Sequence, residues 1–379
     1  MKKLIAMLMA VAMLTGMLAA CGDTQTASSA SPVQETVSET PVETAAPSEP
    51  VVSSVEEPAS VQESVSAQEE SQEAPYEAVD VTVGTIKGPT GAGMAKLMEE
   101  AEAGTAANNY QFTLSADPSE VVTKVIAGEF DIACLPTNSA AVVYQKTQGK
   151  VQLLALNTEG VLHILQNTAD AEPITQWEQL KGKTIYTIGQ GANPEYVLDY
   201  VLKGHGIDPD NDVTIQFCTA ADEVIAACAS GEAEFCMLPE PNVSVLSTKV
   251  EGFTSVLDLT DAWNEIVDDG SILTQGCVVV QQSFAQEHPQ AVKKFLEEYE
   301  ASIRFVTEDQ EAAAALLAQY EIVPSEAIAL KALPGCHIIF RAGEEMKQSI
   351  EGYYKVLFDA DPTSVGGQLP DDDFYYIAD

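Results

Sequence analysis

Arginine is nearly missing from this chain: among 379 residues only Arg304 and Arg341 occur. Lysine and arginine together number 18 against 58 acids, for a formal net charge of −40. A field of that sign repels nucleic acid and anionic lipid, which excludes both as partners. Histidine is scarce too, with four residues: His163, His205, His288 and His337. No two have metal-ligand spacing and no HExxH occurs. The seven cysteines include no CxxC pair, which removes the common zinc and dithiol motifs. Most of them sit in apolar runs such as "DIACLP" and "EFCMLP" and read as small buried hydrophobes; no pairing is assignable. "GKT" at Gly182–Thr184 lacks the earlier glycine of a phosphate loop, because Trp177 stands there. "GQG" at Gly189–Gly191 does not continue as a dinucleotide fingerprint. The sequence therefore predicts no enzyme, no metal and no cofactor.

One apolar run, Leu4 to Leu18, follows Lys2 and Lys3 and ends at "LAAC". It is shorter than the roughly 20 residues of a membrane span. Charge, apolar stretch, small residues and cysteine in that order resemble a bacterial lipobox, with residues 1–20 as leader and Cys21 as the acylated residue. From Gly22 to Ile86 there is no lysine or arginine. Ser, Thr, Glu, Pro, Val, Ala and Gln dominate to about Tyr76, so residues 21–78 read as an acidic, disordered tether that cannot bury enough apolar surface to order itself. The expected location is the extracytoplasmic face, reached through the lipid anchor alone.

Within the remaining 300 or so residues one phrase is written twice. "AGEFDIACLP" (Ala127–Pro136) and "SGEAEFCMLP" (Ser230–Pro239) keep a constant offset of 103 residues, as Gly128/Gly231 and Pro136/Pro239 show. The ungapped alignment extends back through Phe112–Pro136 over Ile215–Pro239. Each copy reads as a βαβαβ unit with parallel strands and right-handed crossovers. Glycines follow the first strands, and Asn193 reads as an N-cap before Pro194. A period near 100 residues is too long for a solenoid and suits two α/β lobes. Ligands of open parallel sheets sit beyond the carboxyl ends of the strands. The loop residues there are Thr90, Ser115, Thr137 and Asn138 in one copy, and Gln190, Asn193, Thr219, Glu240 and Asn242 in the other; these are the candidate ligand contacts. Tyr144, Tyr186 and Tyr196 are candidates for stacking a flat ring.

The phrases "AGEFDIACLPTNSA", "LKGKTIYTIGQGANPE" and "QGCVVVQQSFAQEHPQAVKKFLEEYEASIRFV", with the tail "GGQLPDDDFYY", resemble the ABC-transporter substrate-binding proteins of the nitrate, sulfonate, taurine and thiamine-pyrimidine group. The resemblance implies the type II periplasmic-binding-protein fold, α/β with a cleft between lobes, and hinge closure around the solute. It implies crossings near Gln166 and Cys277: lobe one at 79–166 and 278–379, lobe two at 167–277. It also implies an ABC permease and ATPase as partners of a monomer. Sulfonate and nitrate need oxyanion donors, whereas no arginine falls at a candidate cleft position. Lys87 and Lys181 are the nearest cations in sequence, and Glu240 at the cleft lip opposes an anion. The expected solute is thus neutral or cationic and small, with a heteroaromatic nitrogen compound fitting the tyrosines. A sulfonate- or nitrate-type anion, or a sensing lipoprotein uncoupled from transport, remains as the alternative.

Overall fold

The computed structural model describes residues 76–378. The leader, Cys21 and most of the tether lie outside the described residues.

The first copy of the repeat is β1 (Asp80–Ile86), α1 (Pro89–Ala92), α2 (Ala95–Ala103), β2 (Asn109–Ser115), α3 (Pro118–Ala127) and β3 (Ile132–Pro136), followed by α4 (Thr137–Thr147). Then β4 (Val151–Glu159) and β5 (Leu162–Asn167) lead into the second copy. That copy is β6 (Thr184–Ile188), α5 (Asn193–Gly204), β7 (Thr214–Cys218), α6 (Ala221–Ser230) and β8 (Phe235–Pro239), followed by α7 (Asn242–Lys249). The return runs through β9 (Phe253–Asp258), α8 (Leu259–Ile266) and β10 (Thr274–Gln281). The C-terminal part is α9 (Gln282–Glu287), α10 (Pro289–Glu308), α11 (Gln310–Gln319), α12 (Glu326–Ala332), β11 (Ile338–Ala342) and α13 (Gly343–Ala360).

Two separate sheets form, in the orders β2-β1-β3-β10-β4-β11 and β7-β6-β8-β5-β9. In each, the three repeat strands are parallel, with Ile86 opposite Ser115 in one and Ile188 opposite Cys218 in the other. The internal repeat therefore becomes two α/β halves, and α3/α6 and β3/β8 keep the 103-residue spacing from first to last residue. Both "LP" phrases end a central strand.

The repeated glycine has a backbone reason. Gly128 and Gly231 follow α3 and α6 in the left-handed region, at φ 74° and 77°. Each amide donates to two carbonyls of the last helical turn, closing the helix before the strand begins. No neighbouring atom lies within 4 Å of an added Cβ at Gly231, so only the backbone penalty acts there. Gly231→Ala is expected to lower unfolding free energy by about 1 kcal/mol with an unchanged denaturant slope, as urea titration would show.

The chain changes sheets earlier than the resemblance implied. Gln166 lies inside β5, which already pairs antiparallel with β8 and β9 of the second sheet. The switch is at Gly160–Val161, between β4 and β5. Likewise Cys277 lies inside β10, which pairs with β3 and β4, so the return is complete by Thr274. "HP" does open the long helix, with Pro289 as the first residue of α10. Its buried face (Val292, Phe295, Tyr299, Ile303, Val306) follows helical spacing and packs with Val81, Val83 and Ile132 of the first sheet. The six described cysteines are all free thiols.

Candidate functional site

The residues that follow the carboxyl ends of β1 and β8 meet at the seam between the halves. A cavity of ≈610 Å³ lies there, walled by Lys87 and Gly88 after β1, Pro241 after β8, and Glu321, Ile322 and Val323 after α11. The Gly88 amide donates to the Ile322 carbonyl at 2.9 Å, which fixes the C-terminal segment against the strand end. Lys87 Nζ sits 3.5 Å from Glu321 Oε2, so its charge is already partnered in a mostly exposed pair.

Beneath the strand ends, an uncharged polar chain joins β1's loop to the two strands that carry the crossings. Thr137 Oγ1 lies 3.2 Å from Thr274 Oγ1, which donates to the Thr158 carbonyl at 3.0 Å. Thr158 Oγ1 donates to Asn157 Oδ1 at 2.9 Å. Asn157 Nδ2 donates to the Thr90 carbonyl at 3.0 Å and to the Tyr299 hydroxyl at 2.9 Å. All of these residues are buried. A Cβ on Gly276 would stand 2.5 Å from Asn157 Oδ1 and 2.6 Å from Thr90 Oγ1, so glycine is what lets β10 lie against the cluster. Sequence reasoning placed Thr90 and Thr137 here and missed Asn157, Thr158 and Thr274. Their signal was a polar residue inside an apolar strand, which burial makes costly unless bonded.

The other candidates divide. Asn193 Oδ1 accepts from the Tyr353 hydroxyl at 2.8 Å, across the seam. It is the first residue of α5 rather than its N-cap; Ala192 holds the cap, and its side chain carries no cap bond. Asn138 and Asn242 are half-buried in the first turns of α4 and α7. Ser115 is turned to its own loop, donating to the Asp117 carbonyl and to Glu120 Oε2 at 2.8 Å. Gln190 and Thr219 are exposed, and the Thr219 amide caps locally to Glu223. The three tyrosines are engaged by acids: Tyr144 with Asp371, Tyr186 with Glu232, and Tyr196 with Asp361. Lys181 pairs with Asp212 at 2.8 Å.

Glu240 is buried at 6% exposure, accepting from the Ser244 amide and hydroxyl at 3.2 and 3.0 Å. Burial pushes its carboxyl up to about 7, with the Ser244 bonds and Lys331 pulling it back. Nearby, His163 Nε2 lies 3.3 Å from the Gly335 carbonyl, and Nδ1 lies 3.3 Å from Asp258 Oδ2. Burial lowers the His163 pKa against the pull of Asp258, so this imidazole is a neutral, hydrogen-bonded packing residue. For Glu240 the folded value lies above the ordinary 4.5. Its contribution to stability is present below that value and is lost as pH rises to about 7. Glu240→Gln is expected to remove this loss, of about 3 kcal/mol. The wild-type-minus-variant difference in unfolding free energy, followed from pH 4.5 to 7.5, checks it; a flat difference would contradict it.

This arrangement offers hydroxyls, carboxamides and backbone groups, a lysine in a solvent-exposed ion pair, and no cluster of nucleophile and base. Among the described residues no group of three or more His, Cys, Asp or Glu is placed to hold a metal ion. It is chemistry for holding a molecule. Among the described residues no helix is long and apolar enough to cross a membrane.

Known proteins agree with the architecture. An ABC transporter protein from Parabacteroides distasonis has a TM-score of 0.65 at 23% identity, covering 78% of this chain and 98% of that one. The periplasmic aliphatic sulphonate binding protein SsuA from Escherichia coli has a TM-score of 0.60 at 14% identity, covering 81% and 97%. At these identities the likeness establishes the two-lobed periplasmic-binding-protein fold. The Bacillus subtilis (strain 168) protein YtlA is 30% identical over 135 residues, 34% of this chain. The chain spans 39% of the length of that curated relative. The family profile described as NMT1/THI5 like matches residues 109–313, from β2 into α11. With more than half of its residues matched, the chain belongs to the NMT1/THI5 like family.

Proposed function

We propose that this chain is the solute-binding component of an ABC import system, capturing a small organic molecule between its two halves and delivering it to a membrane permease and its ATPase. The cavity beyond the ends of β1 and β8, walled by the first half and closed by Pro241 of the second, carries the reading. The shared fold with an ABC transporter protein and with SsuA supports it. The lobes are the two sheets with their helices, turning about the β4–β5 and α8–β10 connections. Lipidation at Cys21 would hold the protein at the extracytoplasmic face.

The solute we favour is neutral or cationic. Neither arginine lines the cavity, since Arg304 lies on α10 and Arg341 pairs with Glu159 at 3.3 Å, and the one cation in the cavity wall, Lys87, shares its charge with Glu321. Asn138, Asn193 and Asn242 would supply hydrogen bonds to such a molecule, with Thr90 and Thr137 in the buried cluster beneath them. Micromolar capture needs about −8 kcal/mol, within reach of a few hydrogen bonds and a closed apolar wall. A thermal-shift screen of amines, pyrimidines, flavins, amino acids and sulfonates tests this. Stabilisation by an amine or neutral heterocycle is expected, and stabilisation by sulfonates alone would overturn the solute class. Co-purification with a permease and an ATPase separates transport from sensing.

A further inference from the structure

Three cysteines come together in the second copy of the repeat. Shifted by 103 residues, Cys218, Cys228 and Cys236 stand where the first copy has Ser115, Val125 and Ala133. Val125 on α3 and Ala133 on β3 are buried in one core cluster. Their counterparts, Cys228 in the last turn of α6 and Cys236 in β8, are buried together in the core of the second half. Cys218, at the end of β7, is half-buried and packs against that cluster. α6 stops before Gly231 and β8 starts at Phe235, so a tight turn sets helix and strand side by side. The Cys236 thiol hydrogen-bonds to the Cys228 sulfur, which pulls the Cys228 thiol below its ordinary value against burial. Burial, and then the acids Glu223 and Glu232, push the Cys218 thiol up. Cys228 is therefore the best nucleophile of the three. In the first half, by contrast, Cys134 and Cys277 sit on the adjacent strands β3 and β10 yet fall in different core clusters.

We infer that Cys228 and Cys236 are a redox pair that closes into a disulfide across the α6–β8 turn, pinning the helix to the strand whose end leads to Pro241 at the cavity. The extracytoplasmic face proposed above is a compartment where such bonds form and persist. The oxidant is a small organic disulfide. The Cys228 thiolate attacks one of its sulfurs, giving a mixed disulfide and a departing thiolate that takes up the proton Cys228 released. The Cys236 thiolate then attacks the Cys228 sulfur; the protein disulfide forms, and the second departing thiolate takes up the proton from Cys236. Two electrons pass from the pair to the oxidant, and no other reactant is consumed. A hollow of ≈600 Å³ walled by Cys218, Glu223, Ala227 and Glu232 reaches the residue next to Cys228. Cys228 itself is 2% exposed, so exchange proceeds when the last turn of α6 frays. The acids in that wall favour a cationic oxidant.

Cystamine, a cationic disulfide, is the probe. After treatment of the reduced protein, a non-reduced peptide map is expected to join Cys228 to Cys236. The Tm should rise by about 5 °C, and dithiothreitol should return it to its starting value. Cys228→Val and Cys236→Ala each restore the residue that the first copy carries in the same packed position, so both variants are expected to fold. Neither should show the linked peptide or the rise in Tm. A link from Cys228 to Cys218 instead, no intramolecular link, or a link that leaves Tm unchanged would overturn the proposal. No solute enters the experiment, so a failed solute screen leaves the redox pair standing, and a failed redox pair leaves solute capture standing.

Discussion

Asn157→Ala is expected to lower unfolding free energy by about 4 kcal/mol, well above the usual cost of one core polar residue. Asn157 is 1% exposed and satisfies three partners at once: the Thr90 carbonyl, the Tyr299 hydroxyl and the Thr158 hydroxyl. Truncation orphans all three in a place water does not reach, at about 1–3 kcal/mol each before relaxation. It also leaves a void against Cys134, whose sulfur lies 3.7 Å from Asn157 Nδ2. Equilibrium denaturation checks the value. A loss below about 1 kcal/mol would mean that the cluster is hydrated and that β4 and β10 are held by other contacts.

Gly276→Ala is expected to cost about 3 kcal/mol through the opposite fault, overpacking. The new methyl would stand 2.5 Å from Asn157 Oδ1 and 2.6 Å from Thr90 Oγ1. Neither atom can retreat easily, because Asn157 is held by its three bonds and Thr90 by its place in α1. The two substitutions therefore interact. Once Asn157 is alanine, one of the two close obstacles is gone, so the double variant should cost less than the summed singles by about 1–2 kcal/mol. Strict additivity would show that the collision is absorbed elsewhere in β10. Because β4 and β10 flank both crossings, each variant is also expected to weaken capture of whichever solute the screen identifies.

The fold was legible where the sequence carries a period. The 103-residue repeat, the left-handed stops at Gly128 and Gly231 and the strand-ending prolines are local signals, and each became a matching element of the two halves. The site was legible only in outline. Thr90 and Thr137 reach a common cluster, but Gln190 and Thr219 stay in solvent, and Ser115 on the edge strand β2 bonds its own turn. A loop residue's direction depends on the partner that the fold brings to it, and those partners are remote: Tyr144 finds Asp371, Tyr196 finds Asp361 and Asn193 finds Tyr353. Asn157 and Thr274 were hidden inside apolar runs, where strand periodicity says nothing about which polar atoms meet. The crossing at Gly160 was misplaced to Gln166 because β5 reads as a buried strand in either sheet.

The most direct test of capture by closure is a distance across the seam. Glu129 and Glu232 are exposed, repeat-equivalent positions on the two halves. Spin labels at Glu129→Cys and Glu232→Cys, in a Cys218→Ser background, report that distance with and without a solute that raises Tm in the screen. The account predicts a shorter mean distance and a narrower distribution when such a solute saturates the protein. An identical distribution in its presence would contradict it.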